Sequence, residues 1–286
     1  MTPHEGEVER IVCPLCSEQA AKRRHQEGDY VMVRCLRCGF VYQNPRPSQQ
    51  ELLGAYQTYL PEGEEEIEAW GRMVAPIFRA GADLIERSIP CGKLLDVGTG
   101  YGFFLALMQS RGWEVIGLEV SPTGAQYGRK RWGLSILSQP WEKASFHEGE
   151  FDVVTAFYVV EHLPDPVSFF REVHRILRPG GMILVRYPHT TPIKDILAPM
   201  RIKNDLYHLP FHLSDFSPRT MRRALQLTGF ANIKTVIGGF TAPSNRAGKW
   251  TGLIFGTLAE ILCKLSRGTI LLPGVSKTTI ARKVEQ

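Results

Sequence analysis

The sequence contains no apolar run long enough to cross a bilayer, no internal repeat and no low-complexity tract, which sets aside membrane-spanning, solenoid and disordered classes. Its first ten residues, MTPHEGEVER, lack the apolar core of a secretory signal, and the expectation is a cytoplasmic protein. No large excess of one charge is present: 34 basic against 29 acidic residues leave a net +5 spread along the chain. That balance neither requires nor excludes a nucleic-acid partner. Cysteines scattered as in a disulfide scaffold are also missing. Of the six, four stand as two close pairs in the first forty residues, while Cys91 and Cys263 are isolated. Paired spacing in a reducing compartment points to a metal.

What is present suffices for one sizeable core and a small accessory module, since 43% of the 286 residues are hydrophobic. Residues 1–45 hold the cysteine pairs and β-like runs such as Tyr30 to Arg34. Asn44-Pro-Arg-Pro-Ser48 then breaks the chain, and Ser48 can cap a helix through Glu51 to Tyr56. Residues 46–90 read as a helical linker or cap whose second helix, from the acidic 62–68 stretch to Ser88, aligns Ile67, Trp70, Val74, Ile77, Phe78, Leu84 and Ile85 in one stripe. From residue 91 the pattern becomes alternating strands and helices. Strands are predicted at 93–97, 114–118, 134–137, 151–157 and 182–186, with a helix over 165–177 that ends before Arg178-Pro-Gly-Gly181. Ser217-Pro-Arg-Thr220 opens a further helix to Gly229, followed by a strand over 230–237. This alternation predicts an α/β fold with a Rossmann-like, doubly wound, mainly parallel sheet over 91–286, interrupted by insertions at about 190–216 and 239–274.

The most specific local signal is Leu94-Leu-Asp-Val-Gly-Thr-Gly-Tyr-Gly-Phe-Phe104, with glycines at 98, 100 and 102 where the first strand turns into a helix. Such a turn lets a ligand lie against backbone. Glu119 ends the next strand, close to where the ribose of a bound nucleoside falls. The dinucleotide pattern G-x-G-x-x-G needs a glycine at 103, where Phe103 stands. Asp96 repels a diphosphate and suits a ligand carrying an amino group and a sulfonium. Together with Phe151-Asp-Val-Val-Thr155, Glu161-His-Leu-Pro-Asp-Pro166 and Arg175-Ile-Leu-Arg-Pro-Gly-Gly181, these motifs occur in family order over 93–187. The chain thereby resembles class I S-adenosylmethionine-dependent methyltransferases of the small-molecule type, related to the quinone-biosynthesis O-methyltransferases. The resemblance implies that Asp96, Gly98 and Gly100 surround the methionine part of S-adenosyl-L-methionine, that Glu119 binds the ribose and that Phe157 lies near the methionine end. Gln139-Pro-Trp-Glu142 departs from the pattern, because Pro140 replaces the acid many relatives carry there; Trp141 remains to cover the adenine face.

Cys13-Pro-Leu-Cys16 and Cys35-Leu-Arg-Cys38 are eighteen residues apart, a spacing suited to one tetrahedral Zn2+ held by Cys13, Cys16, Cys35 and Cys38 in a zinc-ribbon-like module. Four thiolates leave no open coordination position, so the expected role is structural. Lys22, Arg23, Arg24, Arg34 and Arg37 offer the sharper alternative of a basic ribbon that docks RNA, as in bacterial rRNA methyltransferases that resemble this layout.

Methyl transfer to oxygen or nitrogen can use a base. His162, after the fourth strand, is the first candidate, and a hydrogen bond that fixes the loop is its alternative role. His212, in Tyr207-His-Leu-Pro-Phe-His-Leu-Ser-Asp-Phe216, is the second, ahead of His208 and His189. In some quinone O-methyltransferases the corresponding Glu-His pair helps hold a divalent metal; Tyr158 stands where those relatives tend to carry a further acid, which argues against a catalytic metal. The apolar stretch 250–263, bounded by Lys264 and Arg267 and interrupted by Glu260, suits a helix over the substrate cleft, with peripheral membrane contact through 250–273 and a dimer contact as alternatives. Thr278 to Arg282 is predicted as the last strand. The expected activity is methyl transfer from S-adenosyl-L-methionine to a small or lipid-like acceptor, at oxygen. An RNA-modifying enzyme and a catalytically idle cofactor-binding scaffold are the alternatives.

Overall fold

The computed structural model describes residues 8–57, 59–200, 206–239, 256–259, 261–263, 265–266 and 276–284. Most of the apolar stretch at 250–273 and the 239–274 insertion lies outside them. Among the described residues, no helix is long and apolar enough to cross a membrane.

The chain begins with five short strands: β1 (Val8–Glu9), β2 (Ala21–Glu27), β3 (Tyr30–Cys35), β4 (Val41–Gln43) and β5 (Arg46–Pro47). Two helices follow, α1 (Gln49–Gln57) and α2 (Glu64–Glu86). In α2, Ile67, Gly71, Val74, Ile77, Phe78, Ala82 and Ile85 recur every three or four residues and are buried, as an amphipathic stripe requires. At Gly71 the helix meets the Phe103 ring so closely that a Cβ would stand 2.5 Å from it.

The alternating region contains β6 (Lys93–Val97), α3 (Phe103–Ser110), β7 (Glu114–Leu118), α4 (Pro122–Trp132), β8 (Ser135–Leu137), β9 (Phe151–Phe157), α5 (Pro166–Ile176) and β10 (Leu177–Tyr187). It continues with α6 (Thr191–Leu197), β11 (Ser214–Asp215), α7 (Pro218–Leu227), β12 (Phe230–Val236) and β13 (Lys277–Lys283). Polar caps and first-turn prolines start the helices. Ser121 accepts from the Gly124 amide at 3.4 Å, Asp165 from Ser168 at 2.9 Å, and Ser217 with Thr220 forms a reciprocal capping box. The fifth sheet strand differs from its predicted span of 182–186: β10 already starts at Leu177, and its pairing with β9 is irregular between Leu177 and Met182. Pro179 offers no amide there, and Gly180 turns left-handed at φ 76°.

The large sheet runs β12-β13-β10-β9-β6-β7-β8. Only β13 opposes its neighbours; the other pairs are parallel. The chain moves outward from β6 to β8 and then returns to β9, so the switch point lies between β6 and β9, where a crevice opens at the strands' carboxyl ends. One core layer packs α2 and α3 on the sheet through Phe78, Phe104, Leu94 and Phe157; the other packs α5 and α7 through Phe170, Val173, Met221 and Ala224. A second sheet, β11-β4-β3-β2, joins the cysteine-bearing strands to β11. Its core residues Val33, Phe40 and Tyr42 belong to the same cluster as α5 and α7.

Candidate cofactor and acceptor site

The glycine turn leaves β6 at the switch point. Gly98 and Thr99 donate their amides to the Leu118 carbonyl at 2.8 and 3.0 Å, which folds the turn onto β7. Gly98 (φ 69°) would drive a Cβ to 2.5 Å from Val159, whereas among the described residues a Cβ on Gly100 (φ 57°) would meet Trp70 alone, at 3.9 Å. The backbone at Gly100 therefore faces a narrow space roofed by α2. Tyr101 secures the roof by donating to the Pro61 carbonyl at 2.5 Å, and its ring meets Trp70 edge-on at 5.6 Å.

Two carboxylates line this crevice. Glu119 is buried and accepts from the Gly100 amide at 2.6 Å and the Ser121 amide at 2.8 Å. Burial raises its pKa against those amide donors. Asp96, 2% exposed, accepts from the Thr155 hydroxyl at 2.6 Å. Burial, reinforced by the charge of Glu119 and opposed by the Thr155 and Thr99 hydroxyls, pushes Asp96 up to about 7. Two buried acids beside an open glycine backbone fit a cationic nucleoside and disfavour a pyrophosphate. Trp141 sits in a short turn after β8, half-buried, its ring edge-on to Phe169 at 5.3 Å. Phe157 packs against Phe78 at 5.1 Å and Phe104 at 4.6 Å, so its ring belongs mainly to the core under α2.

The end of β9 carries a second group of residues. His162 Nδ1 lies 3.1 Å from the Tyr56 hydroxyl and 3.0 Å from the Phe211 carbonyl, to which Tyr56 also donates at 2.8 Å. His212 stands edge-on to His162 at 4.8 Å, and His208 follows at 5.4 Å from His212. Burial lowers His162 to about 4 and His212 to about 2, so both are neutral imidazoles near pH 7. Glu161 is 1% exposed, neither of its carboxylate oxygens has a hydrogen-bond partner among the described residues, and burial raises it to about 8. Ligand atoms of Glu161, His162 and His212 all lie within 4.8 Å of one another. The structure thus joins both predicted histidines and adds Glu161 and Tyr56. Sequence reasoning had no local signal for Tyr56, whose contact spans 106 residues. His189 stands apart, lowered to about 4 by burial and by Lys277.

The four paired cysteines converge as well. Cys13 and Cys38 sulfurs are 3.6 Å apart and those of Cys16 and Cys35 3.5 Å, with all four within 4.8 Å. A tetrahedral zinc with bonds of about 2.3 Å needs sulfur separations of about 3.8 Å. Ser17 (φ 57°) and Gly39 (φ 77°) make the left-handed turn after each pair. Burial raises Cys13, and it raises Cys38 to about 11; four ionised sulfurs this close require a cation, and the donor set fits one.

A family profile for a methyltransferase domain matches residues 64–235, more than half of the chain. A methyltransferase of Mycobacterium sp. (strain KMS) is 36% identical over 122 residues, covering 40% of this chain and 45% of that protein. The ubiquinone biosynthesis O-methyltransferase of Pseudomonas aeruginosa (strain LESB58) is 29% identical over 130 residues, covering 43% and 56%. The matched stretch thus spans about half the length of these relatives. Among solved structures, an S-adenosylmethionine-dependent methyltransferase from Thermotoga maritima superposes with a TM-score of 0.53 at 16% identity, covering 81% of this chain and 99% of that one. Another from Archaeoglobus fulgidus gives 0.50 at 21% identity, covering 72% and 94%; both likenesses concern the fold. With a family match over more than half its length laid on this strand order, the chain belongs to the class I S-adenosylmethionine-dependent methyltransferases.

Proposed function

We propose that the protein methylates a small or lipid-like acceptor at oxygen, drawing the methyl group from S-adenosyl-L-methionine. The observation that carries this reading is the cluster of buried Glu161 with half-buried His162 and His212, on the same sheet edge as Asp96 and Glu119. The ubiquinone biosynthesis O-methyltransferases among the relatives agree with an oxygen acceptor. The cofactor supplies a methyl group on a sulfonium, already carrying its leaving group. Asp96 faces the cationic methionine end, Glu119 receives the ribose hydroxyls through its remaining lone pairs, Gly98 and Gly100 provide the backbone floor, and Trp141 shields the adenine. Trp70 and Tyr101 exclude water. Phe157, behind Asp96, keeps that floor rigid through the core.

Imidazoles lowered to about 4 and about 2 are too weak to ionise an acceptor hydroxyl in advance. They suit late removal of the proton. An acceptor hydroxyl that took up the methyl group would have to give up its proton, and His212 or His162 would receive it. The Phe211 carbonyl beside Nδ1 orients His162 for this step. The two Glu161 oxygens, which have no hydrogen-bond partner among the described residues, favour a second reading, in which Glu161, His162 and His212 would hold a divalent cation that steadies the acceptor oxygen. His212, contributed from a distant segment, supplies a ligand that the sequence around Tyr158 lacks.

In the ribbon we assign Zn2+ to Cys13, Cys16, Cys35 and Cys38 as a structural ion. Incubation with methyl-labelled S-adenosyl-L-methionine and fractionated cell extract tests the reading. Label is expected in the small-molecule or lipid fraction. Label in RNA would replace it with the RNA-modifying alternative, and cofactor binding without transfer to any fraction would leave a scaffold. Turnover that needs added Mg2+ and is lost in chelator would select the cation reading over base catalysis.

A further inference from the structure

The four-cysteine ribbon is built into the acceptor side of the molecule. Its sheet is completed by β11, with Tyr42 opposite Ser214 and Val41 opposite Asp215. The Gln43 amide donates to the Leu213 carbonyl at 2.8 Å, and the Leu213 amide donates to the Glu161 carbonyl at 2.7 Å. Leu213, the neighbour of His212, therefore hangs between the ribbon and the turn that bears Glu161 and His162. Side chains repeat the bridge: Phe40 lies two residues beyond Cys38, and its ring packs 4.7 Å from Phe216, which in turn lies 6.1 Å from Tyr187 on β10. Asp215 is buried and accepts the Thr190 and Thr191 amides at 2.8 and 2.7 Å, so β11 also pins the start of α6.

A strand pair as short as β4 and β11 has little stability of its own. What shapes β4 is the knuckle before it, where the Cys35 amide donates to the Phe40 carbonyl at 2.9 Å and the Gly39 amide to the Cys35 carbonyl at 3.0 Å. A module this small depends on its metal for that shape. The cofactor half of the crevice is held differently, for Gly98, Thr99 and Gly100 are fixed by Leu118 and Glu119.

We propose that the four-thiolate centre is a positioning device for the acceptor site: metal in the ribbon holds β4 in the form that pairs with β11, and β11 places His212 and the Glu161 turn. Phe40 and Tyr42 are positioning residues in this arrangement. The inference rests on the reading of residues 206–216 as the acceptor side. It gives the ribbon an intramolecular task, in place of docking a nucleic acid. Because coupling is reciprocal, loosening β4 from β11 must also loosen the metal by the same factor.

Hydrogen exchange and calorimetry on the full chain test it. After chelation of the bound metal, amide exchange in 206–216 is expected to quicken by about tenfold or more, while the affinity for S-adenosylhomocysteine stays within about twofold, and added Zn2+ should restore protection. Phe40→Leu, which keeps all four cysteines, should quicken exchange in the same segment and weaken Zn2+ in competition titrations by about 5-fold or more. Unchanged exchange in 206–216 after metal removal would overturn the proposal. So would loss of protection throughout β6 and β9 along with the S-adenosylhomocysteine affinity, because the ribbon would then support the whole fold. Failure of the metal-loaded protein to bind S-adenosylhomocysteine would instead sink the methyltransferase reading, and the exchange comparison would still decide the coupling.

Discussion

The two halves of the crevice are assembled in opposite ways. The proposed cofactor half is compact in sequence: Asp96, Gly98, Gly100 and Glu119 lie within one β-turn-α-β unit, with the turn bonded to the end of β7, although Asp96 also accepts from Thr155 on β9, 59 residues on. The proposed acceptor half draws Tyr56, Glu161, His162 and His212 from three separated segments and leans on β4 of the ribbon. A local unit fixes chemistry common to the family, while a site pieced together from distant segments can change with each of them. The carboxylates differ in the same sense. Glu119 is satisfied by two backbone amides, but Glu161 is buried with neither oxygen partnered among the described residues.

The sharpest separation of the halves is expected from His212→Ala and His162→Ala. Initial rates with labelled cofactor and the accepting fraction should fall by about 10²- to 10⁴-fold, with the affinity for S-adenosylhomocysteine unchanged. Unchanged rates in both variants would remove histidine from the chemistry. Asp96→Asn should do the converse. Losing a charged partner of the ligand ammonium is expected to weaken S-adenosylhomocysteine by about 10- to 150-fold in calorimetry, leaving exchange in 206–216 unaltered. The same variant should melt higher than the parent at pH 8 in the absence of ligand. The folded protein raises Asp96 from 3.8 to about 7, so its contribution to stability is present at low pH and lost as pH rises through about 7. A neutral amide avoids that loss.

The pH dependence of binding is a smaller effect on the same half. With Asp96 facing the ligand ammonium as proposed, the proton it holds below about pH 7 must leave on binding. Affinity for S-adenosylhomocysteine should therefore drop by up to about tenfold per pH unit on acidification, measured at constant ionic strength. A flat profile from pH 5.5 to 8 would mean Asp96 is not the titrating partner. The smallest effect is expected from Arg24→Ala, which removes the partly exposed pair with Asp195 at the ribbon's outer edge. Such pairs contribute about 0–1 kcal/mol, so melting temperature, cofactor affinity and rates should all stay near the parent values.

Legibility in the sequence followed the same division. Strands 93–97, 114–118 and 151–157, and the helices opened by Asp165 and Ser217, could be read because cap residues, apolar runs and turn glycines act over a few positions. The cysteine spacing was equally readable, since one tetrahedral ion needs its ligands in two tight pairs. Two-residue β11 carries no pattern of its own; its pairing with β4 is set by tertiary packing around Phe40 and Phe216. Phe157 shows a further limit. Its place at the end of β9 was plain, but which wall its ring would join depended on Phe78, in a helix far upstream. Tyr56 became visible as a neighbour of His162 only once α1 was folded over the crevice.

The most direct check on the central assignment is calorimetric titration of the folded, metal-loaded protein with S-adenosyl-L-methionine and S-adenosylhomocysteine, with a nicotinamide dinucleotide as control. The expected result is saturable one-to-one binding of both sulfur compounds, weakened in Asp96→Asn and Glu119→Gln, and no heat from the dinucleotide. Saturation by the dinucleotide, with neither sulfur compound titrating, would contradict the assignment.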